Sequence, residues 1–189
     1  MQSSSNIAFK EWAVIVDALG RGQQVIILRK GGIIEDKGQF TVDYDQFWLF
    51  PTLFHQQMES VVSDAQKDLN QFQSRFQSDG KVQIQFFVKA EKVVESTNLP
   101  KVRNLAGQHI WKDSVIEERF HYGKKNSIHL ILTRVYRLPV PVTVPLLPIY
   151  GGCKSWVELE QTLSTDTLTP VLSDAEFESK ADRVVADFL

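Results

Sequence analysis

Asn126–Arg137, NSIHLILTRVYR, is the stretch on which the fold turns. Six of its twelve side chains are apolar, and Ile128, Ile131, Thr133, Val135 and Tyr136 supply β-branched and aromatic types. A run of that length and composition reads as a long central strand. The stretch after it, LPVPVTVPLLPIY (138–150), carries four prolines. Proline has no N–H for a ladder, so this part is expected to be extended, polyproline-like or at a sheet edge. It is also too short and too proline-rich for a transmembrane helix.

Working outward, Val82, Ile84, Phe86 and Val88 alternate within 82–94 and read as one face of a second strand. GQQVIILRKGG (22–32) reads as a third, with a strand over 24–30. QFTVDYDQFWLF (39–50) reads as one or two more, ended by Pro51. Helical spacing marks Phe9, Trp12, Ala13, Val16 and Leu19, predicting a helix over 9–19 after a flexible start at 1–7. The same spacing marks Met58, Val61, Val62, Ala65, Leu69, Phe72 and Phe76, predicting a long helix over 54–76 that ends at the SDGK turn. Short helices are expected at 99–107 and 114–120. A final helix starts at Ser173, where Glu176 completes a capping box.

Helices and strands are mixed without regular alternation. The expected fold class is therefore α+β, with a mixed, mostly antiparallel β-sheet or a small β-barrel and flanking helices. The 189 residues suffice for one such core over 1–160, with 161–189 as an acidic helical extension. Residues 158–189 hold eight acidic and two basic side chains, whereas 1–157 hold 19 basic and 15 acidic ones. A mildly basic body is compatible with a polyanion. The single cysteine excludes an internal disulfide or a cysteine-based zinc site. It fits a cytoplasmic location, and the N-terminus lacks the pattern of a signal peptide.

Several chemistries fail on spacing. GGCKS ends like a phosphate-binding P-loop, but the required glycines fall on Pro148 and Cys153. The four histidines (His55, His109, His121, His129) have no metal-ligand spacing, so no metal is expected. Cys153 beside Lys154 lacks a visible base partner. Asp43 and Asp45 share a face if extended, yet Glu91 and Lys92 are adjacent and miss the E-x-K spacing of a magnesium nuclease. No catalytic residue and no cofactor is assigned.

What remains is a set of cations at strand ends, interleaved with aromatics. Arg29 and Lys30, followed by Gly31 and Gly32, end one strand; Arg134 and Arg137 lie near the end of another; Lys154 and Trp156 follow a double glycine. If these ends share a rim with Phe50, the result is a basic groove with an aromatic floor, suited to phosphate contact and base stacking. Separate surface cations around a core tryptophan are the competing reading. An interaction adaptor using the 54–76 helix or the acidic tail as a protein-binding surface is the alternative function. A small hydrolase or nuclease is the third.

KEWAVIVDALGRGQQVIILRKGG resembles the helix–glycine–strand opening of PUA-like domains of the ASCH type. LILTRVYRLPVPVTVPLLPIYGGCKSWVEL resembles their late strand, proline loop and G-x-x-x-W closure. The landmarks LRKGGI, FPT..H, RVYRLP and GGCKSWVEL also resemble an uncharacterised, chiefly cyanobacterial family catalogued as a domain of unknown function. The PUA-like resemblance implies a small mixed barrel that binds RNA in preference to DNA. The hydrolase-type G-x-K-T-x-E pattern is broken here, its positions falling on Gly22, Gln24, Val25 and Ile27. The resemblance therefore implies binding without that catalysis, with Arg29 retained as a contact.

Overall fold

The computed structural model describes residues 1–30, 44–53, 59–66, 75–152 and 154–188. The predictions for Gly31, Gly32, Asp43, His55, Met58, Leu69, Phe72 and Cys153 lie outside them. Eight strands form one sheet: β1 (Ser4–Trp12), β2 (Ile26–Arg29), β3 (Gln46–Thr52), β4 (Gln77–Ser78), β5 (Lys81–Ser96), β6 (Ile128–Pro145), β7 (Trp156–Ser164) and β8 (Thr169–Pro170). The order is β2-β6-β5-β3-β1-β7, with β4 on β5 and β8 on β6. β1 and β3 run parallel and every other pairing is antiparallel. Among the described residues β2 and β7 are open edges. The fold is thus the mixed, mostly antiparallel α+β sheet, and the sheet is not closed into a barrel.

The helices are α1 (Ala13–Gly20), α2 (Ser63–Gln66), α3 (Leu99–Arg103), α4 (Asp113–His121) and α5 (Asp174–Phe188). The sheet has a core on each side. Alternation along β3 sends Phe47 and Leu49 into the larger core, with α1, and Trp48 and Phe50 into the smaller one, with Leu159 and Tyr150.

Four expectations change. Residues 4–12 are a strand, not a flexible start and a helix; the helix begins only at Ala13. β1 is paired on both sides, by β3 and β7, and that pairing overrides the chance three-residue spacing of Phe9 and Trp12. Pro51 does not end β3 but sits inside it, opposite Glu11. The helix over 54–76 does not form as one piece: Val61 makes an isolated bridge to Trp111, and helix starts at Ser63. Lastly, Val82, Ile84, Phe86 and Val88 do not share a face. Val82, Ile84 and Phe87 enter the smaller core, and Phe86 and Val88 the larger. The cause is a bulge: Ile84 pairs Val142 whereas Phe86 pairs Arg137. The extra residues of β6 hold Pro139 and Pro141, so the prolines fall where ladder hydrogen bonds are missing.

Two glycines are required sterically. A Cβ on Gly20 would stand 2.2 Å from Phe86 Cζ, because the ring packs against the end of α1. Gly22 has φ +66°, and a Cβ there would meet Leu172 at 2.4 Å. The body and its last helix are packed as one core. Val184 and Phe188 of α5 are buried among the larger core's residues, and Gln108 Nε2 donates to Asp187 Oδ2 at 2.6 Å. The capping box is formed: Glu176 Oε2 accepts from the Ser173 N–H at 2.9 Å and from its hydroxyl at 2.6 Å. No helix among the described residues is long and apolar enough to cross a membrane.

Candidate ligand cleft

The parallel pair β1/β3 ends in a cleft of about 710 Å³. Register places Lys10 opposite Phe50 and Trp12 opposite Thr52, and all four line it. Phe50, 1% exposed, forms the floor and sets its edge against Tyr150, with ring centroids 5.4 Å apart. Leu146, Leu147 and Pro148 form one wall, where the chain leaves the end of β6, and Gly151 and Gly152 turn it back toward β7. The lining is mostly apolar and carries three cations, Lys10, Arg29 and Lys154. Among the described residues the lining contains no carboxylate and no imidazole.

Each cation is placed differently. Arg29, at the end of β2, reaches across to β1: its Nη2 donates to Lys10 O at 2.8 Å, and its guanidinium lies 4.7 Å over the Phe9 ring. Lys10 Nζ donates to Tyr150 O and Gly152 O, both at 2.8 Å, which ties the double-glycine turn to β1. Lys154 is exposed, and none of the described residues forms an ion pair with its ammonium. Of the residues proposed from sequence, Arg29, Phe50 and Lys154 therefore meet in one place.

The others do not line the cleft. Lys30 donates to three backbone carbonyls, Phe120 O at 2.9 Å, Ser127 O at 3.0 Å and Lys125 O. All three ammonium hydrogens are thereby used, and partial burial pulls its pKa below the usual lysine value. Arg134 donates to Asp174 and to Leu172 O and lies over the Phe177 ring, clamping α5 to the body. Arg137 donates to Gly20 O at the end of α1. Trp156 packs in T-shaped pairs with Phe47 at 5.0 Å and Phe9 at 4.8 Å, against the larger core, and does not line the cleft. Of the residues considered for nuclease chemistry, Glu91 is at the surface with Lys89 Nζ 3.2 Å away, and Asp43 lies outside the described residues.

Sequence reasoning missed Lys10, Trp12 and Tyr150. Lys10 and Trp12 were hidden by the helix expected over 9–19, since only a strand puts residues two apart on one face. Tyr150 gave no local signal; its position depends on Pro148, which starts a single 3₁₀ turn.

Behind the cleft sits a buried charge cluster. Glu11 is 1% exposed; its Oε1 accepts the Trp12 N–H at 2.8 Å, and its Oε2 lies 3.9 Å from Arg29 Nε. Arg119, on α4, donates to Leu28 O at 3.0 Å and stacks 3.8 Å over Trp111. Burial lowers its pKa to about 10; Glu11 opposes that shift and Arg29 adds to it.

Among solved structures, ASCH from Zymomonas mobilis is similar to 95% of this chain, over 93% of its own length, at 11% identity and a TM-score of 0.44. A substituted form of that protein aligns over 93% of this chain and 96% of its own, at 13% identity and a TM-score of 0.41. No curated protein matches the sequence. Residues 8–183 match DUF1802, described as a domain of unknown function, and the chain belongs to that family.

Proposed function

We propose that this protein is a non-enzymatic module that binds single-stranded nucleic acid, RNA in preference to DNA, in the β1/β3 cleft. The observation that carries this reading is the convergence of Lys10, Arg29 and Lys154 on a cleft whose described lining is aromatic and aliphatic with no acidic group. Phosphate favours the cations, and an unstacked base favours Trp12, the partly exposed aromatic of the lining, over a floor of buried Phe50 and Tyr150. The volume lies within the range of small-ligand sites and suits a short segment rather than a long tracked strand. The footprint is small, because Lys30, Arg134 and Arg137 spend their hydrogen bonds inside the protein. The preference for RNA is supported by the PUA-like motifs of the sequence.

Among the described residues the lining offers no imidazole or carboxylate as a general base, which supports binding over hydrolysis. Fluorescence anisotropy with a labelled tetrauridylate tests the reading. Wild-type protein should bind and Arg29→Glu should not. Equal binding by the two would remove Arg29 from the site.

A further inference from the structure

Two guanidiniums face one buried carboxylate behind the cleft. Arg29 Nε stands 3.9 Å from Glu11 Oε2, beyond hydrogen-bond reach. Glu11 spends its other oxygen on the Trp12 N–H. Arg119 is held in place by Leu28 O and by the Trp111 ring, and lies 5.4 Å over Trp12, a residue of the cleft wall. Among the described residues no carboxylate comes within ion-pair distance of Arg119. Glu118, next to Arg119 on α4, is exposed and acts on it more weakly than Glu11, so the buried part of the cluster holds two positive charges against one negative. An uncompensated buried charge is costly, and a counter-charge nearby relieves the cost.

We infer that an anion in the cleft supplies the missing counter-charge, that Glu11 competes with it for Arg29, and that Arg119 acts as a positioning residue that raises anion affinity without touching the ligand. The inference rests on the binding reading above and adds two residues to it. Arg119 draws on the field of Glu11 from behind the wall, so Glu11 does not close on Arg29. Apart from Nη2 on Lys10 O, no N–H of Arg29 has a hydrogen-bond partner among the described residues, and Arg29 lines the cleft. Removing the carboxylate charge should strengthen the site, whereas most substitutions of a buried group weaken one.

The test measures labelled tetrauridylate binding to wild type, Glu11→Gln, Arg119→Met and the double variant, each checked for folding by circular dichroism. Glu11→Gln is expected to bind roughly five- to tenfold tighter, the scale of removing one charge a few ångströms from a ligand at a partly exposed site. Arg119→Met should bind about fivefold weaker, and the double variant should bind close to Glu11→Gln, because a residue that acts through Glu11 has no effect once that charge is gone and coupled sites are non-additive. Unchanged or weaker binding by folded Glu11→Gln, with wild type binding, overturns this inference alone. If Glu11→Gln does not fold, Arg119→Lys against Arg119→Met decides: retained affinity in the lysine variant alone supports a charge role, and equal affinity in both overturns it. Failure of wild type to bind overturns the binding reading itself.

Discussion

His109 makes acid stability a quantitative prediction. The ring is 7% exposed, its Nδ1 is buried with no hydrogen-bond partner among the described residues, and burial lowers its pKa from 6.5 to about 4. Asp113 opposes that shift without reversing it. The folded protein keeps the ring neutral over a window in which the unfolded chain protonates it. Between pH 6.5 and 4 the unfolded state therefore binds more protons, and stability falls as pH falls. Taking folded and unfolded values of 4 and 6.5, lowering the pH from about 7.5 to 5 should cost about 2 kcal/mol through this residue alone. The assay is urea unfolding at the two pH values, for wild type and for His109→Gln, whose side chain does not titrate there. The wild-type drop should exceed the variant's by about that amount. Equal drops in the two proteins would show that His109 is not held neutral by burial.

Further outcomes follow from single contacts. Gly20→Ala forces a methyl into the Phe86 ring and should cost about 1–3 kcal/mol in chemical denaturation, as overpacking does. Lys30→Met strips three carbonyls of their donor; it should lower stability by about 1–3 kcal/mol while leaving tetrauridylate binding unchanged, and loss of binding would return Lys30 to the site. Deleting residues 173–189 removes Val184 and Phe188 from the larger core, so the remainder should lose its cooperative melt; a sharp transition would mean that the body stands without α5.

What the sequence made legible was what short-range chemistry decides. The capping box at Ser173 and Glu176 is a local hydrogen-bond pattern, and it forms. The stretch 126–137 is apolar enough to be a central strand, and its residues from Ile128 on pair β2 on one side and β5 on the other, whereas the ladder to β5 over Val142–Pro145 was not legible behind the prolines. Arg29 could be read as a strand-end cation and proves to line the cleft. The losses occurred where distant partners decide. β1 is a strand because β3 and β7 flank it, and neither is local to it. The face switch within β5 comes from the prolines of β6, some fifty residues on. Lys30 and Arg29 are neighbours in sequence, yet one is consumed by carbonyls between 120 and 127 and the other faces the cleft. The acidic C-terminal residues read as an extension, but residues 161–164 complete β7 and the helix after them carries core side chains.

The most direct test of the central claim is the salt dependence of tetrauridylate binding, measured by anisotropy for wild type and Lys154→Met. Two phosphate contacts, from Arg29 and Lys154, predict a slope of log K against log salt of about −1.4, and loss of one should make it shallower by about 0.7. A flat salt dependence in wild type, or the same slope in both proteins, would contradict phosphate contact by Arg29 and Lys154.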